Sequence, residues 1–324
     1  MANGNKKKGP ARKGPARKGP ARKEPVKEPA NIWVKYGAMF CIIIMVGAAM
    51  VGIGYFVVDY IQSKTTEYPF SKVGGVHSDF TFTNAIDGSK YVPEDALSIH
   101  IVVVKEGDVL SEGIQEFFPG AQATKTMTVS YASGGLEYYS LNSEENVSMI
   151  ISGSKPKYEN YSGYHLISSS PAHRAVVGKT PIIATFFNPS INSTLGKKAI
   201  DVLVGDAPGS SDFDEILAYA DNVSNFEEIR VYTANRGSNY SQHYQRSSLL
   251  NNNSSFQFEA IFSNPTDQMK EEIQELADNT QNDVTYTISQ DNNMIKIYIE
   301  SSEYYPFLIE TWNFNYFIGD HTAT

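Results

Sequence analysis

Twenty-three consecutive positions, 36–58, carry no charged side chain. The stretch begins at Tyr36, contains Cys41, ends at Val58, and reads YGAMFCIIIMVGAAMVGIGYFVV. As a helix rising about 1.5 Å per residue it is roughly 34 Å long, enough to cross a hydrocarbon core of about 30 Å with modest tilt. Such a segment divides a chain into two parts that meet different surroundings, and here the two parts are unlike. Residues 1–30 hold ten Lys and Arg against Glu24 and Glu28, whereas residues 60–324 hold 16 basic and 33 acidic side chains. Basic residues beside a span stay on the cytoplasmic side. The sequence therefore predicts a single-pass protein of the cell membrane, its N-terminus cytoplasmic and its acidic body extracytoplasmic.

The apolar run exceeds the roughly 7–15 residues of a cleaved signal segment, so 31–61 reads as an uncleaved signal-anchor helix. Trp33, Tyr36, Tyr55 and Tyr60 stand near its ends, where interfacial aromatics gather. Ala48 and Gly52 form a small-residue pair that permits helix association without demanding it. Cys41 is the one cysteine and lies inside the apolar run. The body that follows therefore has no disulfide, and at some 260 residues it is long enough to bury a core without one.

Ahead of the span, residues 9–23 are three copies of the unit Gly-Pro-Ala-Arg-Lys, which place Arg12, Lys13, Arg17, Lys18, Arg22 and Lys23 in a regular basic series. Proline at every fifth position forbids a continuous helix, and there are no apolar side chains to build a core. A disordered basic tail over 1–30 is expected. It suits an anionic lipid leaflet, at about 1 kcal/mol per basic residue near the surface, or ribosomal phosphates near the site of insertion. No aromatics are interleaved for base stacking, which argues against specific nucleic-acid recognition.

The body reads as α+β. Residues 62–95, punctuated by Pro69, Gly74, Gly75, Gly88 and Pro93, read as a stalk. A first α+β domain is expected over 96–190, with strands at 98–104, 126–131, 136–140, 147–152, 164–168 and 181–187 and a short helix at 109–118. A second is expected over 191–324. Its strands are placed at 199–204, 228–233, 256–262, 284–288 and 294–299, with a short helix at 212–220. A longer helix, opened by Asn264 and Pro265, runs to about 278. The order β-α-β, β-α-β suits a ferredoxin-like split βαβ fold. At the C-terminal end, alternation of Trp312, Phe314 and Tyr316 argues for a strand with one buried face, or for an exposed aromatic patch that meets a partner.

Signals for catalysis are weak. The run Gly178-Lys179-Thr180 resembles the end of a phosphate-binding loop, but His173 occupies the position where the first glycine belongs. Asp206, Asp212, Asp214 and Glu215 gather around one loop and offer hard oxygen ligands for Ca²⁺, although acidic residues are also expected in the first turn of a helix. The six histidines fall in no metal-binding spacing, and no nucleophile elbow is present. No cofactor is implied. Asn146, Asn160, Asn192, Asn222, Asn239, Asn252 and Asn253 are followed by the Ser/Thr spacing of glycosylation acceptors, all of them in the body. The function expected from this inventory is a non-enzymatic binding or assembly subunit of a membrane or cell-surface complex, with a protein partner there. The rival readings are an anchored hydrolase working through carboxylates, and a tail that docks lipid or ribosome.

Overall fold

A computed structural model describes residues 65–74, 81–142, 146–169, 175–177, 182–186, 189–223, 225–234, 238–250, 255–280, 283–291 and 293–321. All of them fall in one compact unit, Ile61–Thr324. The basic tail, the apolar stretch 36–58, the Gly178-Lys179-Thr180 run, Asn252 and Asn253 lie outside the described residues. Among the described residues, no helix is long and apolar enough to cross a membrane.

The elements in order are β1 (Thr65–Pro69), α1 (Ala85–Ser89), β2 (Ser98–Val103), α2 (Val109–Phe117), β3 (Ala123–Tyr131), β4 (Gly134–Leu141), β5 (Ser148–Ser152), β6 (Tyr158–Tyr161), β7 (Tyr164–Ile167), β8 (Ala175–Val177) and β9 (Ile182–Phe186). They continue with α3 (Pro189–Val204), α4 (Asp214–Leu217), β10 (Glu228–Thr233), β11 (Gln242–Leu250), β12 (Ser255–Ser263), α5 (Asp267–Asp278), β13 (Val284–Asp291), β14 (Met294–Ser301) and α6 (Tyr304–His321). Twelve strands form one antiparallel sheet in the order β13-β14-β12-β11-β10-β2-β3-β4-β9-β8-β7-β6, and β1 pairs with β5 in a second, two-stranded sheet.

In the body this architecture replaces the expected two α+β subdomains, the second ferredoxin-like. No described helix is the expected transmembrane one, and the stretch read as that helix lies outside the described residues. The two halves of the body are joined edge to edge through β2 and β10, where Ile101 faces Ile229 and Ile99 faces Val231. The ferredoxin-like order rests on a strand at 199–204, and it passes over β11, whose Asn- and Ser-rich surroundings at 234–255 read from sequence as a polar excursion. Residues 199–204 are not a strand but the last turns of α3, with Ala199 and Ile200 fully buried. That helix ends in a Schellman motif: the Asp206 N–H reaches Asp201 O at 2.8 Å, the Gly205 N–H reaches Val202 O at 3.2 Å, and Gly205 supplies φ +80°. Residues 312–316 are likewise helical, for reasons given below. The long helix α5 begins at Asp267 rather than at Pro265, because the Thr266 hydroxyl accepts the Met269 N–H and caps it.

Strand alternation sends side chains to two faces, and both are covered. One face is a continuous apolar floor that includes Ile183, Tyr138, Met127, Ile101, Ile229, Tyr244 and Ile261, packed beneath α1, α3 and α4. Residues 82–95, read from sequence as stalk, contribute Phe82, Ala85 and Val92 to this core. The opposite face carries two separate clusters. One lies under α2 and the small sheet, around Phe118, Tyr139 and Met149. The other lies under α5 and α6, around Phe258, Phe262, Ile297 and Phe314.

The loop after α3 is held by a close approach of two backbones. A Cβ on Gly209 would lie 2.2 Å from Lys90 O, and the neighbouring Ser210 N–H donates to Val92 O at 2.6 Å. Only glycine fits there. Gly209→Ala is expected to cost about 1–3 kcal/mol, the usual range for forced overpacking, read as a lower urea midpoint with unchanged slope.

Candidate interaction surface

The C-terminal helix α6 carries large apolar side chains on two opposite sides. Phe307, Thr311, Phe314 and Ile318 are spaced 4, 3 and 4 residues apart and face the sheet, all buried. Tyr305, Ile309, Trp312 and Tyr316 have the same spacing, displaced by two residues, or about 200° around the helix. They are 75, 44, 49 and 49 % exposed. This double pattern explains why the segment read as a strand: taking one residue from each face in turn produces the alternation Trp312, Phe314, Tyr316. Phe314 is accordingly not part of any exposed patch. It is fully buried, edge-on to Phe258 with ring centroids 5.7 Å apart. Tyr305 and Ile309 belong to the exposed face and were missed by the two-residue reading. The helical 4-3-4 spacing is the signal that finds them.

The start of α6 is built for its place. Ser301, at the end of β14, accepts the Glu303 N–H and donates to Asp283 O. Pro306 sits in the first turn, where a missing N–H leaves no hydrogen bond unmade. Glu310, the one acidic residue between Tyr304 and Gly319, points inward and accepts from the Tyr286 hydroxyl at 3.2 Å. Burial first, and then the Glu310 charge, push that phenol above its ordinary pKa. The outward side of α6 from Tyr304 to Gly319 therefore carries no charge. α5, which shares the same core cluster, turns Asp267, Glu271, Glu275 and Asp278 outward.

Two polar clusters elsewhere were candidates for chemistry. On the face beneath α4, Arg246 (1 % exposed) faces Glu259 (0 %) across β11 and β12, with Nε 2.8 Å from Oε2. Its other nitrogens donate to the Ser248 hydroxyl and the Gln257 amide oxygen. Lys296 bridges Glu259 at 2.9 Å and Asp221 at 2.7 Å, and the Tyr298 hydroxyl donates to Asp221. Burial raises the Asp221 pKa, but the hydrogen bonds from Lys296 and Tyr298 outweigh it and hold the carboxyl below its ordinary range. Burial likewise pulls Lys296 down, and its two carboxylate partners overcome this to raise it. Two cations meet two carboxylates, and of these Asp221 and Lys296 are held toward their charged forms by their partners. A general acid needs a carboxyl kept protonated near neutrality, so this arrangement fastens the 219–223 loop to the sheet rather than shuttling protons.

On the opposite face, between the two apolar clusters, Glu228 accepts from His100 Nε2 at 2.6 Å and from Arg230 Nε at 2.6 Å. Burial again pushes Glu228 up, and His100 and Arg230 bring it below its usual value. Further along this face His243 is wholly buried, stacked on Phe262 at 4.4 Å with Tyr232 and Tyr240 edge-on. Neither of its ring nitrogens finds a hydrogen-bond partner among the described residues.

The loop acids do not assemble a metal site. Asp212 accepts from the Asp95 N–H and from the Ser210 hydroxyl, Asp206 closes the end of α3, and Asp214 and Glu215 sit in the first turn of α4. Among the described residues, no three His, Cys, Asp or Glu side chains come together in a way that could hold a metal ion. Of the candidate acceptors, Asn146 and Asn160 are exposed, Asn239 is half-buried, and the Asn222 side chain accepts from Asn84. Asn192 lies in α3. Comparison with protein-family models, with curated proteins and with solved structures finds no match for this chain.

Proposed function

We propose that the chain is a membrane-held, single-pass binding or assembly subunit without catalytic activity. On this reading it presents its acidic body outside the cytoplasm and docks through the outward face of α6. The observation that carries the proposal is the charge-free row Tyr305, Ile309, Trp312 and Tyr316. Single exposed apolar residues are common on any surface, but four on one helical stripe make a contiguous patch, which marks an interaction site. Tyr and Trp are also the side chains that dominate interface energetics. The placement at the membrane rests on the apolar stretch 36–58 and the charge asymmetry around it.

The test places a photo-activatable residue at Trp312 of the full-length chain in intact cells. Covalent joining of the chain to a polypeptide through this position is the expected result. Trp312→Glu is expected to weaken the association about thirtyfold or more, since loss of an interface hot spot costs about 2 kcal/mol or more. Its effect on stability should stay within about 0.5 kcal/mol, as for other surface substitutions. Light-dependent reaction of position 312 with solvent alone would refute the docking role.

A further inference from the structure

The outward face of α6 has an internal symmetry that points to its occupant. Tyr305, Ile309, Trp312 and Tyr316 are separated by 4, 3 and 4 residues, so the spacing reads the same from either end, with tyrosine at both. A two-fold axis through the helix midway between Ile309 and Trp312 places Tyr305 of one copy opposite Tyr316 of the other. It places Ile309 opposite Trp312 in the same way. Self-complementarity about such an axis is the requirement of a C2 interface, in which one patch meets itself. The 4-3-4 spacing is also that of alternating core positions in a helix pair, where knobs from one helix enter holes of the other.

We propose that two copies of this chain associate through antiparallel packing of their α6 helices, with Trp312 of each copy seated against Ile309 of the other. The proposal rests on the docking role of α6 argued above and names its partner. Three further observations favour a second copy. The row is charge-free, so no like charges are brought together along the seam. The pairs leave no two of the largest rings opposed: a tyrosine meets a tyrosine, and the indole meets the smaller isoleucine. The area is also sufficient for a weak pairing. The four side chains, 75, 44, 49 and 49 % exposed, offer roughly 430 Å² per copy on the ~150–250 Å² scale of aromatic side chains. Two copies then remove somewhat less than about 1,000 Å², the size of a transient association. An anionic lipid surface fits less well, because the acids of α5 turn outward from the same core cluster.

The experiment uses the purified full-length chain in mild detergent, with mass measured by light scattering. The expected result is a dimer that Trp312→Glu converts to monomer with unchanged thermal unfolding, while Gln268→Glu on α5 leaves it dimeric. In a Cys41→Ser background, copies carrying Ile309→Cys are mixed with copies carrying Trp312→Cys. The mixture should form a disulfide-linked dimer faster than either copy alone. A dimer that survives Trp312→Glu, or in which the Trp312→Cys copies link best to themselves, overturns the antiparallel pairing. A monomer whose position 312 photo-links to a different polypeptide in cells overturns the second copy and leaves the docking role of α6 standing. A monomer whose position 312 links to no polypeptide overturns both.

Discussion

Glu259→Ala is expected to lower the unfolding free energy by about 3–5 kcal/mol, the cost of leaving a buried partner charge uncompensated. The reason lies in the connectivity. Arg246 is sealed between β11 and β12, its Nε is committed to Glu259, and its contact with Asp221 is longer, at 3.7 Å. Lys296 also loses its bond to Glu259 and keeps Asp221, the Tyr219 carbonyl and the Tyr298 side chain. Replacing the pair together, as Arg246→Met with Glu259→Leu, should recover much of the loss, because a well-packed apolar pair of similar volume carries no desolvation penalty. Urea titration of the two variants decides the matter. If Glu259→Ala alone costs less than about 1 kcal/mol, water reaches Arg246 and the charge is not sealed.

The second large effect is a loss of stability in mild acid, traced to one ring. Burial, with the Arg230 charge adding to it, pulls His243 down to about 3, against about 6.5 in an unfolded chain. The folded protein therefore holds this group neutral where the unfolded chain takes up a proton. Stability is untouched above pH 6.5 and falls as pH drops below it, at up to about 1.4 kcal/mol per unit, for a total of about 5 kcal/mol by pH 3. Asp221 and Glu228, both held below their ordinary values, add a loss of the same sign only below about pH 4. The window between 6.5 and 4.5 thus isolates the histidine. His243→Leu, close in volume and non-titrating, should flatten the pH dependence in that window whatever its effect on absolute stability. An unchanged slope would assign the acid sensitivity to another group.

Much of the local structure was legible from residue order. The strands β2, β10 and β14 and the helices α2 and α5 follow from β-branched alternation or a 3.6-residue apolar period, backed by caps. Two kinds of information were not local. The run Ala199-Ile200-Asp201-Val202-Leu203-Val204 has the composition of a strand, and only the Gly205 cap and the burial of Ala199 and Ile200 on the sheet make it the end of a helix. In α6, two helical faces two residues out of phase imitate a strand's alternation. The charged network was hidden for another reason. Arg246 falls in the Asn- and Ser-rich stretch 234–255, which reads as a polar excursion rather than as β11. Glu259 holds a strand position that alternation marks as polar, which looks the same in sequence whether a loop covers it or water does.

The seam between β2 and β10 has a consequence for how the chain reaches its native state. Partners across it, such as His100 and Glu228, lie 128 residues apart. At a synthesis rate of about 5–20 residues per second, β2 emerges some 6–25 s before the strand that completes it. During that interval the backbone of Ser98–Val103 is an open sheet edge rich in Ile and Val, the kind that recruits a wrong strand. Pairings of such long range close slowly even in the free chain. Vectorial synthesis therefore makes the β2 side of the sheet available to fold before the β10 side exists. Pairing of Glu228–Thr233 with the waiting edge is the point at which a wrong strand can compete.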